Sequence, residues 1–375
     1  MKYSQDLVNI LRIIKTKNIG NITFLSLLSK LKTYEDVIRY TPEISKQTTS
    51  KEFSFISEKE VIKELEYCYK NNIHIITYKD KNYPTLLKTI YNYPIVLYVK
   101  GNADLLRKKS CSIIGARNCS LAGQENAKYF AFEIAKKGYV ISSGLAKGID
   151  TYAHLGSLDI ATVAYLGCGI DIVYPKANQK LYDSICEKGA LVSIFPPKTP
   201  AIANNFPKRN ALIAGASRGT LIIEATIQSG SLITANLALD YNRQVMSIPG
   251  SPNNPLVHGN NYLIKNGCYL IEKPSDVIDL LNNYNNSTNT IKDKFDTIHT
   301  ESIDYGINMN KVTIDQRFLQ KLLSMLSEEA VSIDALIRST DNHPDLMLAI
   351  LSLELNDKII RSPGNKIALN TNIIE

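Results

Sequence analysis

Apolar residues recur at helical spacing near the start of the chain, and residues 4–40 read as helical, with Leu7, Ile10, Leu11 and Ile14 forming one stripe. Asn18-Ile19-Gly20-Asn21 interrupts the stripe and Phe24–Leu31 resumes it, so two short helices joined by a glycine turn are expected. Another helix is expected over 58–71, then strands at Ile73–Thr77 and Ile95–Val99. From 110 to 281 the pattern changes. Runs that are largely apolar (Cys111–Ile114, Tyr139–Ser142, Thr162–Leu166, Leu191–Phe195, Thr220–Glu224 and Gln244–Ile248) alternate with helical stretches. The clearest helix is Gly123–Lys137, with Ala127, Phe130, Ala131, Ile134 and Ala135 on one face. Apolar strands spaced by helices predict a parallel sheet covered on both faces. Residues 282–311 are rich in Asn, Thr and Asp without periodicity, the composition of a linker. Three helical patterns follow, at Arg317–Leu326, Ser332–Ile337 and Pro344–Leu355. Lys358–Leu369 then reads as a hairpin around Pro363-Gly364.

The chain has 375 residues, room for two or three domains, and 44% of them are hydrophobic, enough for a sizeable core. Its net charge of +7 is uneven: +6 over residues 1–100, +5 over 101–281, −1 over 282–311 and −3 over 312–375. A positive first three-quarters suits a polyanion partner, although a solvated lysine-rich surface has the same balance. The two N-terminal helices resemble a helix-hairpin-helix, and a packing-only α-hairpin fits them as well. The C-terminal pattern looks like a winged helix whose negative charge favours docking over DNA binding. The six cysteines form no C-x-x-C pair and read as reduced residues of a cytoplasmic protein. The N-terminus has no apolar signal region, and no run approaches the ~18 apolar residues of a membrane span.

Several strand ends are followed by glycine-containing turns and then helices: Gly115-Ala116-Arg117, Ser143-Gly144 and Ser229-Gly230-Ser231. Backbone N–H groups at such a turn suit phosphate, and glycine lets it come close. In a parallel α/β sheet these turns share the carboxyl edge of the strands. Arg117 can fork a phosphate, or it is a surface arginine. Phe206-Pro207-Lys208-Arg209-Asn210 offers two cations, an amide and a ring for base stacking, or a helix start with incidental charges. Ser229 or Ser231 lines the groove or caps a helix. Asp150 and Glu224 read as structural braces, since a carboxylate facing phosphate repels it; Glu224 also suits a ribose or acid–base role. Gly167-Cys168-Gly169-Ile170-Asp171-Ile172 lacks the third glycine of a dinucleotide fingerprint, and no P-loop, nucleophile elbow or metal-ligand spacing of histidines occurs. No cofactor and no catalytic residue are expected.

The ordered blocks Ile114-Gly115-Ala116-Arg117, Ser143–His154, Tyr174-Pro175, Phe206–Asn210, Ile223-Glu224-Ala225, Ser229–Ala235, Pro249-Gly250 and Gly259–Ile264 resemble the bacterial DNA-processing protein A (DprA) family. The resemblance is strong over residues 75–281 and one of type in the flanking segments. It implies a Rossmann-like parallel sheet with helices on both faces, flanked by an N-terminal helical domain and a C-terminal winged helix. The expected domains are 1–72 (helix-hairpin-helix or SAM-like), 73–281 (core), 282–311 (linker) and 312–375 (winged helix). It implies a non-catalytic protein that binds single-stranded DNA, protects it in natural transformation, loads RecA onto it and acts as a homodimer, with no membrane association. Expected DNA contacts are Gly115, Arg117, Ser143, Gly144, Lys147, Phe206, Lys208, Arg209, Asn210, Ser229, Gly230, Ser231 and Thr234. Ala116 and Ala211 stand where the family usually has serine and arginine, and Ile194 where it has glutamate. A competing resemblance is Gly219-Thr220-Leu221-Ile222-Ile223-Glu224, which echoes nucleoside-monophosphate phosphoribohydrolases of the LOG, or lysine-decarboxylase-like, family. The glycine-rich turn those enzymes carry before it is missing at Ala216-Ser217-Arg218.

Overall fold

The computed structural model describes residues 3–46, 54–284, 316–341, 343, 345–355, 358–362 and 366–370. The chain forms two compact units, one of residues 66–296 and one that combines residues 1–65 with 297–375. The expected linker lies outside the described residues from 285 onward, and so does the expected Pro363-Gly364 turn.

The N-terminal segment forms α1 (Gln5–Ile14), α2 (Asn21–Leu31) and α3 (Tyr34–Lys46), followed by α4 (Glu58–Lys70). The Ser4 hydroxyl caps α1 by accepting from the Leu7 N–H at 3.3 Å. The third helix was not anticipated as a separate element. Its start is fixed by Thr33, whose hydroxyl accepts from the Asp36 N–H at 3.1 Å and donates to the Asp36 carboxylate at 2.7 Å. Leu11, Phe24, Leu27, Leu31, Val37 and Ile44 close the core of these helices.

The central segment carries β1 (Ile73–Thr77), β2 (Val96–Gly101), β3 (Ser110–Ile114), α5 (Leu121–Lys136), β4 (Val140–Ser143), α6 (Ile149–Ser157), β5 (Thr162–Leu166), α7 (Gln179–Lys188), β6 (Ala190–Ser193), α8 (Asn205–Ala216), β7 (Gly219–Ile222), α9 (Gly230–Asp240), β8 (Gln244–Ser247), α10 (His258–Lys265), β9 (Tyr269–Leu270) and a helix α11 over 274–284. The sheet order is β1-β2-β6-β5-β4-β3-β7-β8-β9. Pairs β1/β2 and β2/β6 are antiparallel and all others parallel. Register follows the apolar pattern, with Cys111 opposite both Ile141 and Gly219. Alternate residues serve the two faces. Cys111, Ile113, Ile141, Leu221 and Met246 pack with Ala127, Phe130, Ala131 and Ile134 of α5 and Ile149 and Ala153 of α6. On the other face α8 and α9 pack side by side. There the sheet presents small hydroxyls: Ser110 donates to the Ala216 carbonyl at 2.8 Å, and Ser112 and Thr220 share a hydrogen bond at 2.7 Å. Crossovers from β3 run through β4 and β5 to β6, then return across the sheet to β7. The chain therefore switches direction at β3, where open α/β sheets form a ligand crevice.

The C-terminal segment forms α12 (Gln316–Ser324), β10 (Val331–Ser332), α13 (Ile333–Ser339), α14 (Leu346–Leu355), β11 (Ile359–Ser362) and β12 (Lys366–Leu369). Strands β11 and β12 pair antiparallel, with β10 on the far side of β12. Three helices and this small sheet make a winged helix.

Candidate nucleic-acid interface

The turns after β3 and β4 interlock because two glycines leave room for it. A side chain on Gly148 (φ +78°) would run into the carbonyls of Ala116 and Arg117, and one on Gly115 would meet Ile149 and the Glu224 carbonyl. The Ile149 N–H donates to the Ala116 carbonyl at 3.1 Å, and the Ala116 N–H donates to the Glu224 carbonyl at 2.7 Å. The stretch between β4 and α6 is held from inside. Asn178 donates to the Leu145 carbonyl at 2.9 Å and Thr151 donates to the Ala146 carbonyl at 2.8 Å. Arg117 and Lys147 emerge exposed from these adjoining turns.

Beneath them lies a buried pair of opposite charges. The Asp150 carboxylate accepts from the N–H groups of Gly144 (3.0 Å) and Ala146 (3.4 Å). The turn expected to cradle a phosphate with these donors is therefore occupied by the protein's own carboxylate. Asp150 is a brace. Arg209, expected to contact the strand, is only 4% exposed. It donates to the carbonyls of Gly144 and Tyr165 and, through Nε, to Asn210 Oδ1 at 3.1 Å. Gly144 is required here, since a Cβ would collide with the guanidinium. Burial pushes the Asp150 carboxyl above its usual range and the Arg209 guanidinium below its own, while their mutual attraction opposes both shifts. Behind them, His154 is fully buried, with Nδ1 2.7 Å from the Thr162 hydroxyl. Burial, helped by the Arg209 charge, pushes its imidazole down to about 3.

Above this floor opens a cavity of about 180 Å³ lined by Arg117, Gly144, Ala146, Lys147, Tyr174, Pro175, Phe206 and Arg209. Three of the eight are cations and none is acidic. Arg117 is close enough to Arg209 for the two charges to repel, so an anion between them relieves the repulsion. One wall is aromatic: Tyr174 and Phe206 have ring centroids 5.4 Å apart at 50°. The Phe206 ring lies over Gly167, where a Cβ would come within 2.9 Å of it, and the Arg209 Cζ sits 5.7 Å from its centroid. Tyr174 was not singled out from the sequence beyond its place in a motif block. The available signal was an aromatic residue in the turn after β5, on the same sheet edge.

The other expected contacts lie elsewhere. Ser143 is fully buried and donates to the Ile113 carbonyl at 2.7 Å, so its hydroxyl faces the sheet and not a groove. Lys208 is exposed on the first turn of α8 and does not line the cavity. Asn210 is half-buried as a partner of Arg209. Ser229, Gly230, Ser231 and Thr234 open α9, outside the cavity lining. Ser229 caps that helix, accepting from the Ser231 N–H at 3.2 Å and sharing a 2.5 Å hydrogen bond with the Ser231 hydroxyl. Glu224 accepts from the Ser120 N–H at 2.9 Å and from the Ser120 hydroxyl, bracing the start of α5. Among the described residues, no helix is long and apolar enough to cross a membrane.

Comparison with known proteins gives this edge a context. The family model for DNA recombination-mediator protein A matches residues 74–282. Models for the DprA-like N-terminal HHH domain and the DprA winged helix domain match 4–66 and 316–365. Protein Smf of Escherichia coli (strain K12) is 31% identical over 321 residues, 84% of this chain and 83% of that protein. The X-ray structure of DNA processing protein A from Streptococcus pneumoniae superposes with a TM-score of 0.58 at 31% identity, covering 73% of this chain and 92% of that one. A structure of DNA processing protein A from Helicobacter pylori, reported for its single-stranded DNA binding mode, superposes at 0.52 with 28% identity, covering 56% and 95%. A helix-hairpin-helix domain, a Rossmann-like core and a winged helix in this order, with a core model spanning more than half the chain, show that it belongs to the DprA/Smf family of DNA recombination mediators.

Proposed function

We propose that the chain binds single-stranded DNA in the Arg117–Lys147–Phe206 cavity, protects it and passes it to a RecA-type recombinase, acting in the cytoplasm as a homodimer without catalysis. The observation that carries this reading is the cavity lining: three cations and two rings in contact, with no carboxylate. Phosphates need the cations, and bases released from a duplex need the rings. A base paired in a duplex keeps its faces stacked on its neighbours, so the aromatic wall favours a single strand. The reported single-strand binding of the Helicobacter pylori relative agrees with this. Glu224, the residue an LOG-type hydrolase would need, is engaged at the start of α5.

The test is competition binding with a labelled single strand. The expected result is at least tenfold preference over a duplex of equal length. Alanine at Arg117 and at Lys147 should each weaken binding and flatten log K against log salt by about 0.7, the slope per phosphate contact on single strands. Equal affinity for both DNA forms, or unchanged binding in the double variant, would refute the reading. Release of free base from a nucleoside monophosphate would favour the enzyme instead. Recombinase assembly on protein-coated single strands, and sedimentation at increasing concentration, test RecA loading and the dimer.

A further inference from the structure

We infer that the third helix of the winged helix, α14, is a docking helix whose partner is the N-terminal helical domain of the same chain, so that this module reads no bases. In helix-turn-helix proteins the helix after the turn enters the major groove and its side chains reach the base edges. Here that position belongs to α14, which follows α13. Base edges are read mainly by Arg, Lys, Asn and Gln. The sequence of α14, Leu-Met-Leu-Ala-Ile-Leu-Ser-Leu-Glu-Leu, contains none of them and carries a carboxylate at Glu354.

Burial gives the same answer. Leu346, Leu348, Ala349, Ile350, Ser352 and Leu353 are all at most 3% exposed, and Glu354 is 9% exposed. Of the α14 side chains whose burial is described, Met347 alone is partly exposed, so the helix is packed against something on more than one side. One side is the winged helix itself. The other is α2 and α3. The contact has polar fixing points. Ser352 donates to the Ile44 carbonyl at 2.9 Å. That carbonyl lies in the last turn of α3, where backbone acceptors have no partner within the helix. The Lys30 ammonium, on α2 and 9% exposed, donates to the Met347 carbonyl at 3.3 Å, and Ser26 donates to Glu354 at 3.4 Å. Buried polar contacts of this kind fix a register that a greasy patch alone would leave loose. The acidic balance of residues 312–375 agrees with a module that does not seek DNA.

The test uses the full chain and stands apart from the proposed single-strand binding, because its Ser352→Arg arm and the linking step itself need no DNA. Hydrogen exchange is followed peptide by peptide, free and with saturating single-stranded or duplex oligonucleotide. Protection of α14 should be high and unchanged by DNA; a rise on adding either form would overturn the inference. Ser352→Arg places a long cation against α3 and should speed exchange in the last turn of α3 about tenfold or more. Unchanged exchange there, with the module still folded, would also overturn it. Should that variant unfold the module, Ser26→Cys with Glu354→Cys supplies the remaining arm. A short bifunctional thiol reagent should link the two positions, mapped by mass spectrometry against the native cysteines, and leave DNA affinity as it was. No link, or loss of DNA binding on linking, would refute the docking role.

Discussion

Arg117 and Arg209 line one cavity yet do different work, and burial decides which does what. Arg117 is exposed and projects from a turn; Arg209 is buried on two carbonyls, beside Gly144 with the opposite charge of Asp150 near it. Removing one partner of a buried charge pair costs about 3–5 kcal/mol because the other is left uncompensated. Arg209→Ala should therefore lower unfolding free energy by several kcal/mol in urea. Arg117→Ala should leave it within about 0.5 kcal/mol and weaken only DNA binding. His154 makes a second residue-scale prediction. Its folded pKa of about 3 lies below the ordinary value of 6.5, so the unfolded chain binds the proton first as pH falls. Stability is complete above pH 6.5 and declines toward pH 3, by roughly 1.4 kcal/mol per pH unit from this group. Urea midpoints at pH 7 and 4.5 should show that loss, and His154→Gln should shrink it; an unchanged slope would mean the imidazole titrates normally.

Among the elements, the strands were legible because they are buried on both faces, so their apolar runs carry no helical period. The third N-terminal helix was not: Pro42 lies inside α3, and proline ordinarily marks a helix boundary. The site was legible as a set of turns on one edge, but not in what those turns hold. Which acceptor takes the Gly144 N–H depends on Asp150 folding back six residues later, and which helix Glu224 braces depends on a contact 104 residues away in sequence. Neither distance is written in a local pattern. Glycine offers a test of the turn geometry. Gly148 and Gly138 both have φ above +70°, but only Gly148 has backbone in the way of a Cβ. Alanine at Gly138 should cost only the strain of that backbone, about 1 kcal/mol in melting experiments. Alanine at Gly148 should cost more and should also weaken DNA binding, because it separates the turns carrying Arg117 and Lys147. Equal effects at the two positions would mean that the interlocked turns do not shape the site.

At the scale of the whole molecule, charge and cavity contribute to different rates. Residues 1–281 combine segments of +6 and +5, while the last 64 residues carry −3. Such a field steers a polyanion toward the protein from beyond contact distance, and salt screens it within about 10 Å at 0.1 M. On the proposed function the cavity would act only once the strand has arrived, through stacking on Phe206 and short contacts to Arg117 and Lys147. Lys208 is exposed and does not line the cavity, so it belongs to the field. Phe206 is uncharged and lines the cavity, so it belongs to the contact. Stopped-flow binding separates the two. Lys208→Glu should lower the association rate several-fold at low salt, with the difference fading as salt rises, and should leave dissociation nearly unchanged. Phe206→Ala should leave association nearly unchanged and speed dissociation by about 5- to 150-fold, the equivalent of the 1–3 kcal/mol that one stacked base contributes. If Lys208→Glu acted instead on dissociation alone, that lysine would be touching the strand, and the binding surface would extend along α8 beyond the cavity.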